Sequence, residues 1–259
     1  MVFIGHGSPM NALEDNPHTR AWRQLGETMP RPRAILAVSA HWYTRGTGVT
    51  AMAQPRTIHD FYGFPPALFA QRYPAPGDPA LAQQIQELLH PVAVSADQEW
   101  GLDHGTWSVL AHVYPQADIP VVQLSIDATQ PPEHHYQLGR RLAPLRDAGV
   151  LIFGSGNVVH NLRRLNWEPA ASAYPWAAAF DSRLRGALAE GDHRAAIHYE
   201  RFGEAAALSV PTPEHYLPLL YVLGAGCTGD AVSFPTDGIE MGSISMLTVL
   251  VTSANGGNR

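Results

Sequence analysis

The chain is poor in cysteine and in charge, and it has no long apolar run. Each shortage removes a class of protein. A single cysteine, Cys227, among 259 residues excludes an internal disulfide and any cysteine-built zinc module. Charged residues make up 15% of the chain and the net charge is −6, with no cluster of basic residues. Nucleic acid is therefore not expected as a partner. The apolar stretch over residues 244–251 is too short to span a bilayer and is broken by polar residues, so no membrane association is expected. No basic leader precedes the first apolar residues, which points to the cytoplasm. There is no Gly-x-Ser-x-Gly turn and no His-Glu-x-x-His helix, which weakens the serine-hydrolase and zinc-protease readings. Without a linker, a repeat or a charged tract to divide it, the chain is expected to form one catalytic domain over 1–259.

What the chain does have is histidine, 13 in all. Three of them follow the same pattern of an apolar β run, small residues and then the imidazole. They are Val2-Phe3-Ile4-Gly5-His6, Ala34-Ile35-Leu36-Ala37-Val38-Ser39-Ala40-His41, and Val150-Leu151-Ile152-Phe153-Gly154-Ser155-Gly156-Asn157 leading to His160. Continuous apolar runs suit strands buried on both faces. Ligands of such sheets bind outside the carboxyl ends of the strands, so these histidines are candidates to converge there.

Strands are expected over 2–4, 34–40, 92–94, 120–126, 150–153, 231–234 and 243–251. Helices are expected over 17–27, 79–90, 132–148, 175–189, 192–199 and 213–223, with further starts near Thr106 and Val158. Strands alternating with helices and then a closing antiparallel pair define a three-layer α/β/α sandwich with a central mixed, mostly parallel sheet. Thr212 and Pro213 read as the cap and first residue of the helix over 213–223. Neighbours on a helix point about 100° apart, so Glu214 and His215 should not both face one metal.

His6 lies between two glycines, which lets backbone pack close to it. His41 precedes Trp42 and Tyr43, which are suited to walling an aromatic pocket. His104 follows Asp103, a residue that can cap a helix or orient its surroundings. The glycine-rich loop before His160 is followed by no lysine, so a nucleotide phosphate site is not expected. His59 stays open, and His18, His90, His112, His134, His135, His193 and His198 are taken as structural.

Six segments then fall in a telling order: Gly5-His6-Gly7-Ser8-Pro9-Met10, Ser39-Ala40-His41-Trp42, Thr57-Ile58-His59-Asp60-Phe61-Tyr62-Gly63-Phe64-Pro65, Asp103-His104-Gly105-Thr106-Trp107, Gly156-Asn157-Val158-Val159-His160-Asn161-Leu162 and Pro213-Glu214-His215-Tyr216-Leu217-Pro218. As a set spanning nearly the whole chain, they resemble the bacterial DOPA 4,5-dioxygenase family of the class III extradiol ring-cleavage dioxygenases. The resemblance implies a metal-dependent opening of a DOPA-like catechol by O2 to a semialdehyde. It implies one divalent metal ion, Zn2+ or Fe2+, at the carboxyl edge of the sheet. His6, His41 and His215 match the family's metal positions, and His160 matches a histidine that can join them. His104 matches a histidine that stands beside the metal without touching it, so His104 and His160 are the expected acid–base pair.

Trp42, His59 and Tyr62 are expected to contact the substrate, with the loop over 57–65 covering the site. The wider superfamily uses a glutamate where this chain has His215. An all-histidine set leaves the divalent charge uncompensated and suits zinc as well as iron. Two alternatives stand beside this reading. One is a zinc-dependent hydrolase on the same site, and the other a closed four-ligand metal-binding protein without turnover. The expected assembly is a monomer or small homo-oligomer.

Overall fold

Strand alternation sorts the core into two layers, and the same alternation sorts the histidines. The structure, a computed structural model, describes residues 1–168 and 171–253. Its strands are β1 (Val2–Gly5), β2 (Ala34–Thr44), β3 (Thr47–Thr50), β4 (Val94–Asp97), β5 (Val121–Asp127) and β6 (Val150–Gly156). After these come β7 (Ala231–Ser233), the short β8 (Ile239–Glu240) and β9 (Ile244–Ser245), and β10 (Thr248–Thr252). Eight of them form one sheet in the order β4-β3-β5-β2-β6-β1-β10-β7, and β8 pairs with β9. The centre, β5-β2-β6-β1, is parallel. The pairs β3–β5, β1–β10 and β10–β7 are antiparallel, giving the mixed sheet expected from the sequence.

The helices are α1 (Pro17–Thr28), α2 (Pro66–Phe69), α3 (Pro79–Leu89), α4 (His104–Val113) and α5 (Pro132–Leu142). They continue with α6 (Pro144–Asp147), α7 (Pro175–Ala189), α8 (His193–Ile197), α9 (Glu204–Ser209) and α10 (Leu217–Gly224). Ile4, Ile35, Ala37 and Phe153 pack with Trp22 of α1 and Leu110 of α4 on one side of the sheet. Phe3, Leu36, Val38 and Ile152 pack with Leu81 of α3, Leu138 of α5, Leu184 of α7 and Leu220 of α10 on the other. Side chains two residues apart share a face. His6 therefore continues the side of Ile4, and His41, at a register shift in β2, lies against Gly105 of α4 on the same side.

Several boundaries differ from the sequence-based expectation, each for a physical reason. The helix expected over 213–223 begins only at Leu217, with Pro218 in its first turn. A helix from Pro213 would put Pro218 in its interior, where the ring clashes with the carbonyl four residues back. His215 thus sits in a turn, and Thr212 donates to the Glu214 carboxylate (2.8 Å) instead of capping a helix. Pro144 likewise divides the helix expected over 132–148 into α5 and α6. No helix starts at Val158. The backbone N–H of His160 donates to Ser209 and that of Asn161 to Ser243, and His160 bridges to Ile244.

His104 is the first residue of α4, two residues before the expected start at Thr106, because the Asp103 carboxylate accepts from the Thr106 N–H (3.1 Å). The strand expected over 92–94 runs instead over Val94–Asp97, and the one over 243–251 divides into β9 and β10. The polar strand β3 and the short α2 and α9 were not anticipated, for they carry little apolar periodicity. Among the described residues, no helix is long and apolar enough to cross a membrane.

Candidate active site

The carboxyl ends of β1 and β2, the start of α4 and the turn before α10 bring His6, His41, His104 and His215 to one point. Ring centroids lie 5.0 Å apart for His6 and His41, 5.4 Å for His6 and His215, and 5.1 Å for His41 and His215. His104 is 3.9 Å from His41, and His160 stacks on His215 at 3.4 Å. Two glycines permit this crowding. A Cβ on Gly105 would meet Ser39 Oγ at 2.6 Å and His41 Cδ2 at 2.9 Å, and one on Gly156 would meet the His215 carbonyl at 2.1 Å.

The hydrogen bonds decide which nitrogen of each ring faces inward. Ser155 Oγ donates to the Gly105 carbonyl (2.5 Å), so it accepts from His6 Nδ1 (3.0 Å). His41 Nδ1 lies 3.3 Å from Asp60 Oδ2, and His215 Nδ1 lies 3.2 Å from Glu214 Oε1. A carboxylate only accepts, so His215 Nδ1, hydrogen-bonded to Glu214, carries the proton, and the Asp60 charge beside His41 Nδ1 favours the proton there too. All three Nε2 atoms then hold a lone pair. Those of His6 and His41 stand 3.2 Å apart.

Burial sets the charge. It holds His6 and His215 well below the ordinary histidine range, with the neighbouring imidazoles adding to the effect. Burial and the charge of His104 bring His41 down to about 3, against the opposing pull of Asp60. His160 falls to about 4 through burial and then the charge of His104. At neutral pH these rings are uncharged, and lone pairs facing across 3.2 Å repel unless a cation lies between them. Ligand nitrogens bound at about 2.1 Å to one tetrahedral ion stand about 3.4 Å apart, so the pair fits a metal. His6, His41 and His215 each offer a nitrogen within 4.8 Å of the other two.

The structure corrects the expectation that the metal charge goes uncompensated. Asp60 stands behind His41 and Glu214 behind His215, so a carboxylate faces the outer nitrogen of each ring. Burial raises the Asp60 carboxyl, but the hydrogen bond and charge of His104 and the charge of His41 outweigh it and bring the group to about 2. Such carboxylate–histidine pairs fix ring orientation and raise ligand basicity.

Of the expected substrate contacts, none joins the histidine cluster. Trp42 lies past a register shift in β2 and stacks on Trp100 (5.5 Å, 5°), against Gly48 of β3. His59 Nε2 lies 3.0 Å from the Gln71 carbonyl, and Tyr62 is 93% exposed at the loop tip. The neighbouring Phe61 faces the site instead, its ring 5.5 Å from His104. Sequence reading passed over Asp60 and Ser155, although both stood inside motifs it had singled out. Nothing local says which way a loop carboxylate turns.

Residues 1–248 match the family of the catalytic LigB subunit of aromatic ring-opening dioxygenases. The chain is 56% identical to the 4,5-DOPA dioxygenase extradiol of Escherichia coli K12, covering 96% of this chain and 93% of that protein. It is 44% identical to the 4,5-DOPA dioxygenase extradiol of Beta vulgaris, covering 86% of this chain and 85% of the plant protein. A solved structure of an uncharacterized Escherichia coli K12 protein superposes with a TM-score of 0.84 at 52% identity, covering 96% of this chain and 97% of the other. The chain belongs to the LigB family and is an extradiol aromatic ring-opening dioxygenase. That class displaces the hydrolase and the metal-binding protein without turnover.

Proposed function

We propose that this protein opens the ring of a DOPA-like catechol with O2 in a metal-dependent reaction, giving a semialdehyde. One observation carries the reading: three imidazoles converge on one point, with an oxygen of Ser155, Asp60 or Glu214 beside the outer nitrogen of each. His6, His41 and His215 hold one divalent ion, and His160, stacked on His215, stands within reach of it. Fe2+ is the ion for turnover, and Zn2+ competes for the same nitrogen set. When bound, the ion supplies a common coordination sphere for catechol and O2 and a path for electron density between them.

The remaining work falls to the chain's own side chains. His104 takes a catechol hydroxyl proton at Nε2, and the Asp60 carboxylate, 2.9 Å from its Nδ1, stabilises the imidazolium that forms. The proton then returns to the ring-opened product. His160 is the second group able to move a proton at this edge. Phe61 provides an apolar wall for a flat ring, with His59 packed behind the loop and Tyr62 at its tip. Trp42 acts on the substrate only indirectly, by fixing the strand that carries His41. The relatives named for 4,5-DOPA cleavage support a catechol bearing an amino-acid side chain. The location proposed is the cytoplasm.

The test is oxygen uptake with DOPA after anaerobic loading with Fe2+ or Zn2+. Uptake coupled to semialdehyde formation is expected with iron and none with zinc. Absence of uptake with iron across a catechol panel overturns the proposal.

A further inference from the structure

Asp60 is the one carboxylate here that serves two rings. Its Oδ2 lies 3.3 Å from His41 Nδ1 and 2.9 Å from His104 Nδ1, while its Oδ1 accepts the backbone N–H of His104 (2.9 Å). The contact to His104 Nδ1 is off line for a hydrogen bond, so the backbone bond and the charge fix the pairing. The segment before it is bolted to the same helix start. The Ile58 N–H donates to the Leu102 carbonyl (2.7 Å), and Trp107 Nε1 donates to the Ile58 carbonyl (2.7 Å). Asp60 is therefore anchored at the base of its loop, whereas the tip at Tyr62 stands in solvent.

We infer that Asp60 is a positioning residue that sets the tautomer of two imidazoles with different tasks. Its negative charge, 3.3 and 2.9 Å from the two Nδ1 atoms, favours the proton there on both rings, which turns a lone pair inward on His41, where a metal is held, and on His104, where a proton is taken. In water the Nε2–H form of imidazole is favoured, so without the carboxylate His104 would present a proton to the substrate hydroxyl instead of accepting one. No other carboxylate replaces it. Asp103 is spent on Ser39, the Thr106 N–H and Gln123, and Glu214 belongs to His215. The inference deepens the proposed function and rests on it for the task of His104, but the tautomer itself does not depend on metal.

Nitrogen-15 NMR of the metal-free full-length protein reads that tautomer directly. In the unaltered chain, both His41 and His104 should carry the proton on Nδ1. Either ring found as Nε2–H overturns the inference whatever the variants do. In Asp60→Ala, His104 should shift towards Nε2–H. Asp60→Asn, which keeps the shape, should retain zinc with an affinity within about 10- to 100-fold of the unaltered chain. Its kcat with DOPA should fall by at least about tenfold while KM stays within about twofold. An unchanged His104 tautomer in a folded Asp60→Ala overturns the inference. Failure of the unaltered protein to bind metal or consume O2 leaves the tautomer result standing and strikes the proposed function alone.

Discussion

His6 Nε2 and His41 Nε2 face each other across 3.2 Å, with the Ser155 hydroxyl behind one ring and the Asp60 carboxylate behind the other. Residues 35 positions apart in the chain thus present their nitrogens to one point, as a metal site would require.

Metal content follows from that relationship. His6→Ala and His41→Ala are expected to purify with little metal and to fail to take it up on dialysis, by elemental analysis. Glu214→Gln should keep its metal, because the amide oxygen can still accept from His215 Nδ1. Its affinity should weaken by about 10- to 100-fold, as for other partners standing behind a ligand. Normal metal content in both histidine variants sinks the site.

Loss of His104 should separate chemistry from binding. His104→Ala is expected to retain metal and to lose turnover by about a hundredfold or more, the usual cost of removing an acid–base group. Steady-state kinetics beside elemental analysis of the same sample checks this, and loss of metal would move His104 among the ligands.

Acid should destabilise the metal-free protein. His135, buried against Tyr221, has its pKa lowered by burial from 6.5 to about 4. The unfolded chain binds that proton near pH 6.5 and the folded one only near pH 4, so stability is fully present above about 6.5 and is lost as pH falls towards 4. This group alone contributes about 3 kcal/mol, and His41 and His160 act in the same direction. Urea midpoints should therefore fall steadily from pH 7 to pH 4.5, more gently in His135→Gln. A midpoint that rises over that range contradicts the argument.

Gly105→Ala should damage the site without touching a proposed ligand. The added methyl would press on Ser39 Oγ at 2.6 Å and His41 Cδ2 at 2.9 Å. Overpacking of this kind costs about 1–3 kcal/mol. Thermal melts should show that loss, and zinc titration a weaker site.

Substrate contact should lie with Phe61 more than with its neighbour. Phe61→Ala is expected to raise KM for a catechol several-fold, whereas Tyr62→Ala, at an exposed tip, changes it little. Trp42→Phe should lower stability through the lost stack on Trp100 and leave kcat nearly unchanged. A larger effect at Tyr62 than at Phe61 would show that the tip closes over the substrate.

Much of the architecture was legible in the chain. Long apolar runs at β1, β2, β5 and β6 can be buried only in the middle of a covered sheet, and helices capped at Asn16, Asp78 and Asp103 separate most of them. The prolines also carried information that a simple pattern overlooks. Pro144 and Pro218 end or delay helices that apolar periodicity alone would extend.

By itself, then, the sequence determined the layered sheet, the edge at which strand-borne histidines emerge, and the residue types able to bind a metal and move a proton. Only the tertiary structure decided which nitrogen of each ring turns inward and which acceptor stands behind it. It alone placed Trp42 against Trp100 and Phe61 against His104. The reason is physical: ring orientation is set by partners far away along the chain. Ser155 is 149 residues from His6, and Asp60 is 44 from His104. Periodicity reports on neighbours within a turn or a strand, and contacts at those separations exist only once the sheet has closed around them.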